Sequence, residues 1–136
     1  MTKLGFAFAA AAMTAAICSP ALAQQHARDL VRENIANGIA FTAKYSGQSM
    51  SVDDYVIASS ASPEGGHGSI AVGAKPDKFG FPPSAQALCV LANTKEIQTF
   101  GALSKGSHIV LIGKFSSMMG STIMLTDCSF RMSTAK

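Results

Sequence analysis

The sequence predicts a mainly β domain. Five strands close into a Greek-key barrel, with one helix ahead of the barrel and a second between its third and fourth strands. Three observations predict it. Short apolar runs of strand length, several alternating with period two, are separated by Gly- and Pro-rich turns between residues 48 and 132. Two stretches depart from that pattern with helical spacing or caps, at 27–45 and just after Asn93-Thr94. Two cysteines, Cys89 and Cys128, fall in the third and the last of the strands.

The first 23 residues stand apart. Lys3 is a short positive region, 4–17 is an uncharged Ala-rich apolar run, and Ala21-Leu22-Ala23 is an A-x-A cleavage site preceded by Pro20. This is the pattern of a secretory signal peptide, and its apolar run is short for a membrane span. Cys18 follows Ile17, where a lipoprotein signal would carry a small residue, so the secretory reading is kept. The mature chain then starts near Gln24, leaves 113 of the 136 residues for one domain, carries no transmembrane segment, and is expected to be periplasmic or secreted. Without Lys3, ten Lys/Arg face eight Asp/Glu, scattered along the chain with no basic block. A nucleic-acid binder usually shows a basic patch or stripe, so a nucleic-acid partner is not expected.

Residues 27–45 read as one helix. Val31, Ile35, Ile39 and Ala43 recur every four residues, Ala36 and Ala40 widen the stripe, and Leu30 and Phe41 flank it. Gly47 ends the segment. The first strand, 48–58, places Met50 and Val52 on one face and Tyr55 and Ile57 on the other. The change of face falls at Asp53-Asp54, which reads as a β-bulge or a surface pair, because neighbouring strand carboxylates point to opposite faces. A Gly-rich loop holding His67 leads to a short strand, 68–72. Residues 73–86 contain Pro76, Pro82 and Pro83, which forbid a regular strand; Phe79 and Phe81 straddle Gly80 there and are expected to fold back and plug the barrel end. The remaining elements are a strand at 87–92, a capped helix at 95–103, a strand at 107–115 apolar on both faces, a hairpin loop at 116–121 holding Met118 and Met119, and a last strand at 122–132. In that last strand Ile123 and Leu125 should oppose Met124, Thr126 and Cys128.

The order strand, strand, strand, helix, strand, strand is that of an OB-fold. In such a barrel the third and fifth strands lie side by side where the sheet closes. An exported chain meets an oxidising compartment, where the two remaining cysteines read as a disulfide. Compartment and topology thus bring Cys89 and Cys128 together by separate arguments.

Several runs also resemble the exported bacterial "tRNA_anti-like" OB-fold family. The matching positions are Asn37 in the helix, Lys44-Tyr45-Ser46-Gly47-Gln48 entering the first strand, Cys89, Leu103-Ser104-Lys105-Gly106, Ile112-Gly113 and Leu125-Thr126-Asp127-Cys128. Gln48 replaces the usual Lys of that pattern, and the stretch after Ile70 is longer and Pro-rich. The family name records a likeness of fold to anticodon-binding domains. What the resemblance implies is the barrel and an exported location, not tRNA binding.

No catalytic constellation stands out. His26, His67 and His108 lie in separate settings, no nucleophile elbow is present, and GGHG lacks the strand-to-helix transition and Lys of a phosphate loop. Met118, Met119 and His67 sit on the two loops that OB-folds use for ligands, and thioethers suit Cu(I). No Met-x-x-Met or His-x-His spacing supports a metal, and no cofactor is expected. The expectation is a non-enzymatic envelope binding or interaction module, holding a partner protein, peptide or glycan through the loops of His67, Phe79, Phe81, Met118 and Met119. The alternative is an oligonucleotide- or oligosaccharide-binding OB-fold protein. The disulfide is checked directly: alkylating the unreduced mature protein should add no mass, and a labelled Cys89 or Cys128 would refute the bridge.

Overall fold

The computed structural model describes residues 24–134. The signal peptide assigned to residues 1–23, and the last two residues of the tail, lie outside the described residues. The elements are α1 (Ala27–Ala36), α2 (Gly38–Tyr45), β1 (Ser49–Ala61), β2 (Gly68–Gly73), β3 (Gln86–Leu91), α3 (Thr94–Phe100), β4 (His108–Met119) and β5 (Thr122–Met132). The strands close into a barrel in the order β1-β2-β3-β5-β4. Among the described strands only β3 and β5 pair in parallel, from Gln86 opposite Thr122 to Cys89 opposite Leu125. This is the OB-fold with helices ahead of it.

Alternation builds the core. Ile70 and Val72 of β2, Ala87, Cys89 and Leu91 of β3, Ile109 and Leu111 of β4, and Ile123 and Leu125 of β5 are buried together. Leu30 and Val31 of α1, Phe41 of α2 and Phe100 of α3 join the same cluster. Phe41 meets Phe115 edge-on at 5.5 Å, and Phe100 lies 4.9 Å from Phe130. α3 is capped as its sequence suggests: Asn93 Oδ1 accepts from Glu96 N, and Glu96 reaches back to Asn93 and to Ala92 N. It stops at Phe100 rather than near 103.

The single helix expected at 27–45 is two. Asn37 adopts φ −159°, ψ 90°, ends α1 and caps α2, its Oδ1 accepting from Ala40 N at 3.0 Å. Asn is among the best N-caps, and Gly38 follows it at no steric cost. The break turns the second half about, so Phe41 is buried while Ile35 and Ile39 are exposed. The expected stripe through Ile35 and Ile39 is therefore not the packed face.

β1 also differs from expectation. Its bulge lies between Val56 and Ala58, not at Asp53-Asp54, and both carboxylates are buried rather than on the surface. At 49–55 β1 pairs with β4, and from Tyr55 onward it pairs with β2. Where β2 does not reach, the short segment ahead of α1 fills in: Gln25 N donates to Ser51 O and Asp53 N donates to Gln25 O. β4 runs to Met119, so the loop expected at 116–121 shrinks to Gly120-Ser121, with Gly120 at φ +59°.

The last strand carries the most consequential correction. Ile112 pairs with Ser129 and Lys114 with Thr126, so Asp127 and Cys128 together face Gly113. That is a β-bulge, and Asp127 sits in the left-handed region at φ 51°. One extra residue reverses the parity of everything beyond it. Cys128 and Phe130 therefore turn to the core side, with Leu125 rather than opposite it, and Cys128 is bonded to Cys89 (Cα–Cα 6.4 Å). The bond closes a loop with a sequence separation of 39, worth roughly 4 kcal/mol in the chain-entropy account.

Gly113 makes room for this arrangement. A Cβ there would lie 2.7 Å from Cys128 Sγ and 3.1 Å from both Leu125 Cβ and Thr126 O. Gly113→Ala is expected to lower stability by about 1–3 kcal/mol, read as a shift in the urea midpoint at unchanged slope. An unshifted midpoint would show that the seam has slack.

Candidate functional site

The loop between β2 and β3 is shaped locally by Asp77. Its Oδ1 accepts from Phe79 N at 2.9 Å and from Phe81 N at 3.0 Å, its carbonyl accepts from Gly80 N at 2.9 Å, and its own N–H donates to Phe81 O at 3.3 Å. Asp opening a turn and Gly closing it is ordinary turn chemistry, and Gly80 takes φ +81°. The base of the loop is pinned by packing. A Cβ on Gly73 would lie 2.6 Å from Ile57 Cδ1 and 2.9 Å from Pro83 Cγ, so Pro83 closes over the strand. The tip does not close. Phe79 is 73% exposed and Phe81 67% exposed, so the expected plug does not form and both rings face solvent. Lys78 Nζ lies 5.0 Å from the Phe79 ring centroid.

The five residues singled out from the sequence do not form one site. The Gly120-Ser121 hairpin adjoins the foot of the Phe loop, since Gln86 N donates to Ser121 O. Met119 is exposed on that hairpin, while Met118 packs against the core. His67 lies at the far end of β2, roughly 17 Å away at the usual strand rise, and is exposed. Its side chain joins none of the others.

The face that OB-folds commonly use, the outside of β2 and β3, carries Ser69, Ala71, Leu88 and Val90. Neither strand contains a charged or aromatic residue. Ser69, Leu88 and Val90 are open to solvent in part while Ala71 is buried, so the open part of the face is apolar with one hydroxyl.

A second cluster, which sequence reasoning missed, occupies the corner where β1 passes from β4 to β2. Tyr55 stacks on His108 with ring centroids 4.4 Å apart, and Lys75 Nζ covers the Tyr55 ring at 4.8 Å. His108 Nε2 lies 2.6 Å from Asp53 Oδ1. That close approach is not an aligned hydrogen bond, and Oδ1 is left without a hydrogen-bond donor among the described residues. Gln24, turned so that its amide nitrogen faces Asp53 Oδ2 at 3.3 Å, gives its oxygen to Arg131. Asp54 serves α1: its Oδ2 accepts from Ala27 N at 2.7 Å, in the first turn. His26 Nδ1 reaches the Asp53 carbonyl at 2.7 Å and Asp54 Oδ1 at 3.3 Å. A cleft of about 220 Å³ opens here between His26, Arg28, Tyr55 and Lys75. The sequence signal was the pair of carboxylates interrupting the alternation of β1; their partners lie 27 or more residues away and left no local trace. Among the described residues no three His, Cys, Asp or Glu side chains converge as metal ligands.

Burial pushes the Asp54 carboxyl above the ordinary Asp range; the Ala27 N–H and the His26 imidazole pull it back only in part.

No family model matches the sequence, and no curated protein matches it. Among solved structures the chain is similar in fold to a protein of Klebsiella pneumoniae described as a "putative nucleic acid-binding lipoprotein", at 12% identity and TM-score 0.62, over 79% of this chain and 90% of that one. At that identity the likeness establishes the OB-type barrel, and the finer resemblance to the tRNA_anti-like family rests on the motif residues alone.

Because the folded pKa of Asp54 is raised, its contribution to stability is present below about pH 4 and is lost as pH rises through the folded value. D54N keeps an acceptor for Ala27 N but cannot ionise. Urea midpoints at pH 4 and pH 7 should therefore show the difference between the two proteins moving in favour of D54N with rising pH; movement toward the wild type would reverse the assignment.

Proposed function

We propose that this chain is an exported, non-catalytic binding module of the cell envelope, which holds its partner on the rim formed by residues 74–85 and the adjoining outer face of β2 and β3. One observation carries the reading: two phenylalanines stand exposed on a turn that Asp77 holds in place. Burying a Phe side chain is worth about 1.5–3 kcal/mol, and a pre-shaped loop loses little further entropy on binding. Exposed apolar side chains on a rigid support, next to an uncharged face, suit partner capture. The disulfide and the absence among the described residues of a helix long and apolar enough to cross a membrane accord with export.

The alternative, an oligonucleotide or oligosaccharide on the β2–β3 face, is favoured by the description of the Klebsiella protein. Against it, that face lacks both the basic residues and the rings that such binding uses.

Affinity capture tests the proposal. Tagged protein recovered from its native envelope should enrich a partner that the F79S/F81S variant loses, at unchanged thermal stability. Recovery of no protein, glycan or lipid above controls, or equal recovery by both proteins, counts against it.

A further inference from the structure

Resting on that reading of the rim, the geometry points to an anionic lipid surface as what the 74–85 loop engages. We infer that Phe79 and Phe81 enter the headgroup–acyl boundary while Lys75 and Lys78 remain at the phosphates.

The backbone of the tip is the first reason. A chain entering an apolar phase must have its N–H and C=O groups satisfied internally, because no water replaces a missing partner there. In 77–83 the N–H part of this condition is nearly met, while the carbonyls of Lys78, Phe79, Gly80 and Pro82 accept no hydrogen bond within the loop and would stay at the hydrated headgroup level. The N–H groups of Asp77, Phe79, Gly80 and Phe81 all have partners within the loop, and Pro82 and Pro83 have none to satisfy. Only Lys78 N lacks one.

The side chains are the second reason. Phe79 and Phe81 flank Gly80 and are both exposed, at the end of a segment with Pro76 and Pro82 exposed beside them. Lys78 holds its ammonium 5.0 Å from the Phe79 ring, and Lys75 lies lower, over Tyr55. An apolar tip with ammonium groups at its shoulders matches the layering of an anionic bilayer surface, and basic side chains with long stems settle at that level. The carboxylate in the loop, Asp77, uses Oδ1 to hold the turn.

The test uses the purified exported chain and vesicles of phosphatidylcholine with or without phosphatidylglycerol. Co-sedimentation should occur with the anionic vesicles, weaken as salt is raised, and be at least about tenfold weaker for F79S/F81S. K75Q/K78Q should weaken it by roughly tenfold or more. F79W should keep binding, and its fluorescence should be quenched by brominated lipid only when anionic vesicles are present. Failure to sediment, or sedimentation indifferent to both double variants, overturns the inference. If vesicles stay unbound while capture of an envelope protein or glycan still depends on Phe79 and Phe81, the lipid assignment fails and the binding-module reading stands. If neither depends on them, both fail.

Discussion

The barrel depends most on how its last seam is held. β3 and β5 meet over four residue pairs, fewer than any other pair of strands, and in the parallel arrangement, which is slightly less stable per residue. The Cys89–Cys128 bond ties this seam just past its last ladder pair. Two backbone features admit it. Asp127 takes a left-handed conformation that Asp tolerates better than most residues, which turns Cys128 inward, and Gly113 leaves the space that Cys128 occupies. Phe130 follows Cys128 to the core side and meets Phe100, so the same bulge also seats α3 against the barrel.

At another corner two consecutive carboxylates fasten the start of the domain. Asp54 takes the first-turn N–H of α1, an acceptor where the helix dipole favours negative charge. Asp53 turns the other way and lies against His108 and Gln24, whose amide oxygen in turn accepts from Arg131. Between them the Gln25 backbone lengthens the sheet along β1. Tyr45 adds a tie from α2, its hydroxyl within 3.3 Å of Gln25 and 3.2 Å of Glu33. Burial makes Asp54 expensive to keep charged, and its worth is positional: it fixes where α1 begins, and so which of its residues reach the core.

These two corners leave the tip of the Phe loop free of any duty to the core. Pro83 and Gly73 anchor its base on Ile57, and the Asp77 turn organises its tip without help from the barrel. The rings are thus presented by local chemistry on a rigid foot. The stack of Lys75, Tyr55 and His108 stands beside it, joining loop and barrel corner into one rim.

Much of this was legible in residues 24–134 alone. Alternation and turn residues determined the five strands and their order, Asn93 with Glu96 determined the start of α3, and an even pair of cysteines in the right two strands determined the disulfide, because each signal lies within a few residues or follows from topology. The site was legible only as a set of candidate loops. Asn37 could cap a helix as readily as sit within one, and only packing of Phe41 selected the break. Phe79 and Phe81 looked like a plug because apolar rings are usually buried; whether a loop reaches the barrel mouth depends on its anchors, which only the tertiary structure reveals. The roles of Asp53 and Asp54, and the inward turn of Cys128, were decided there too. Each rests on partners distant in sequence or on a single left-handed residue, and neither leaves a periodicity to read.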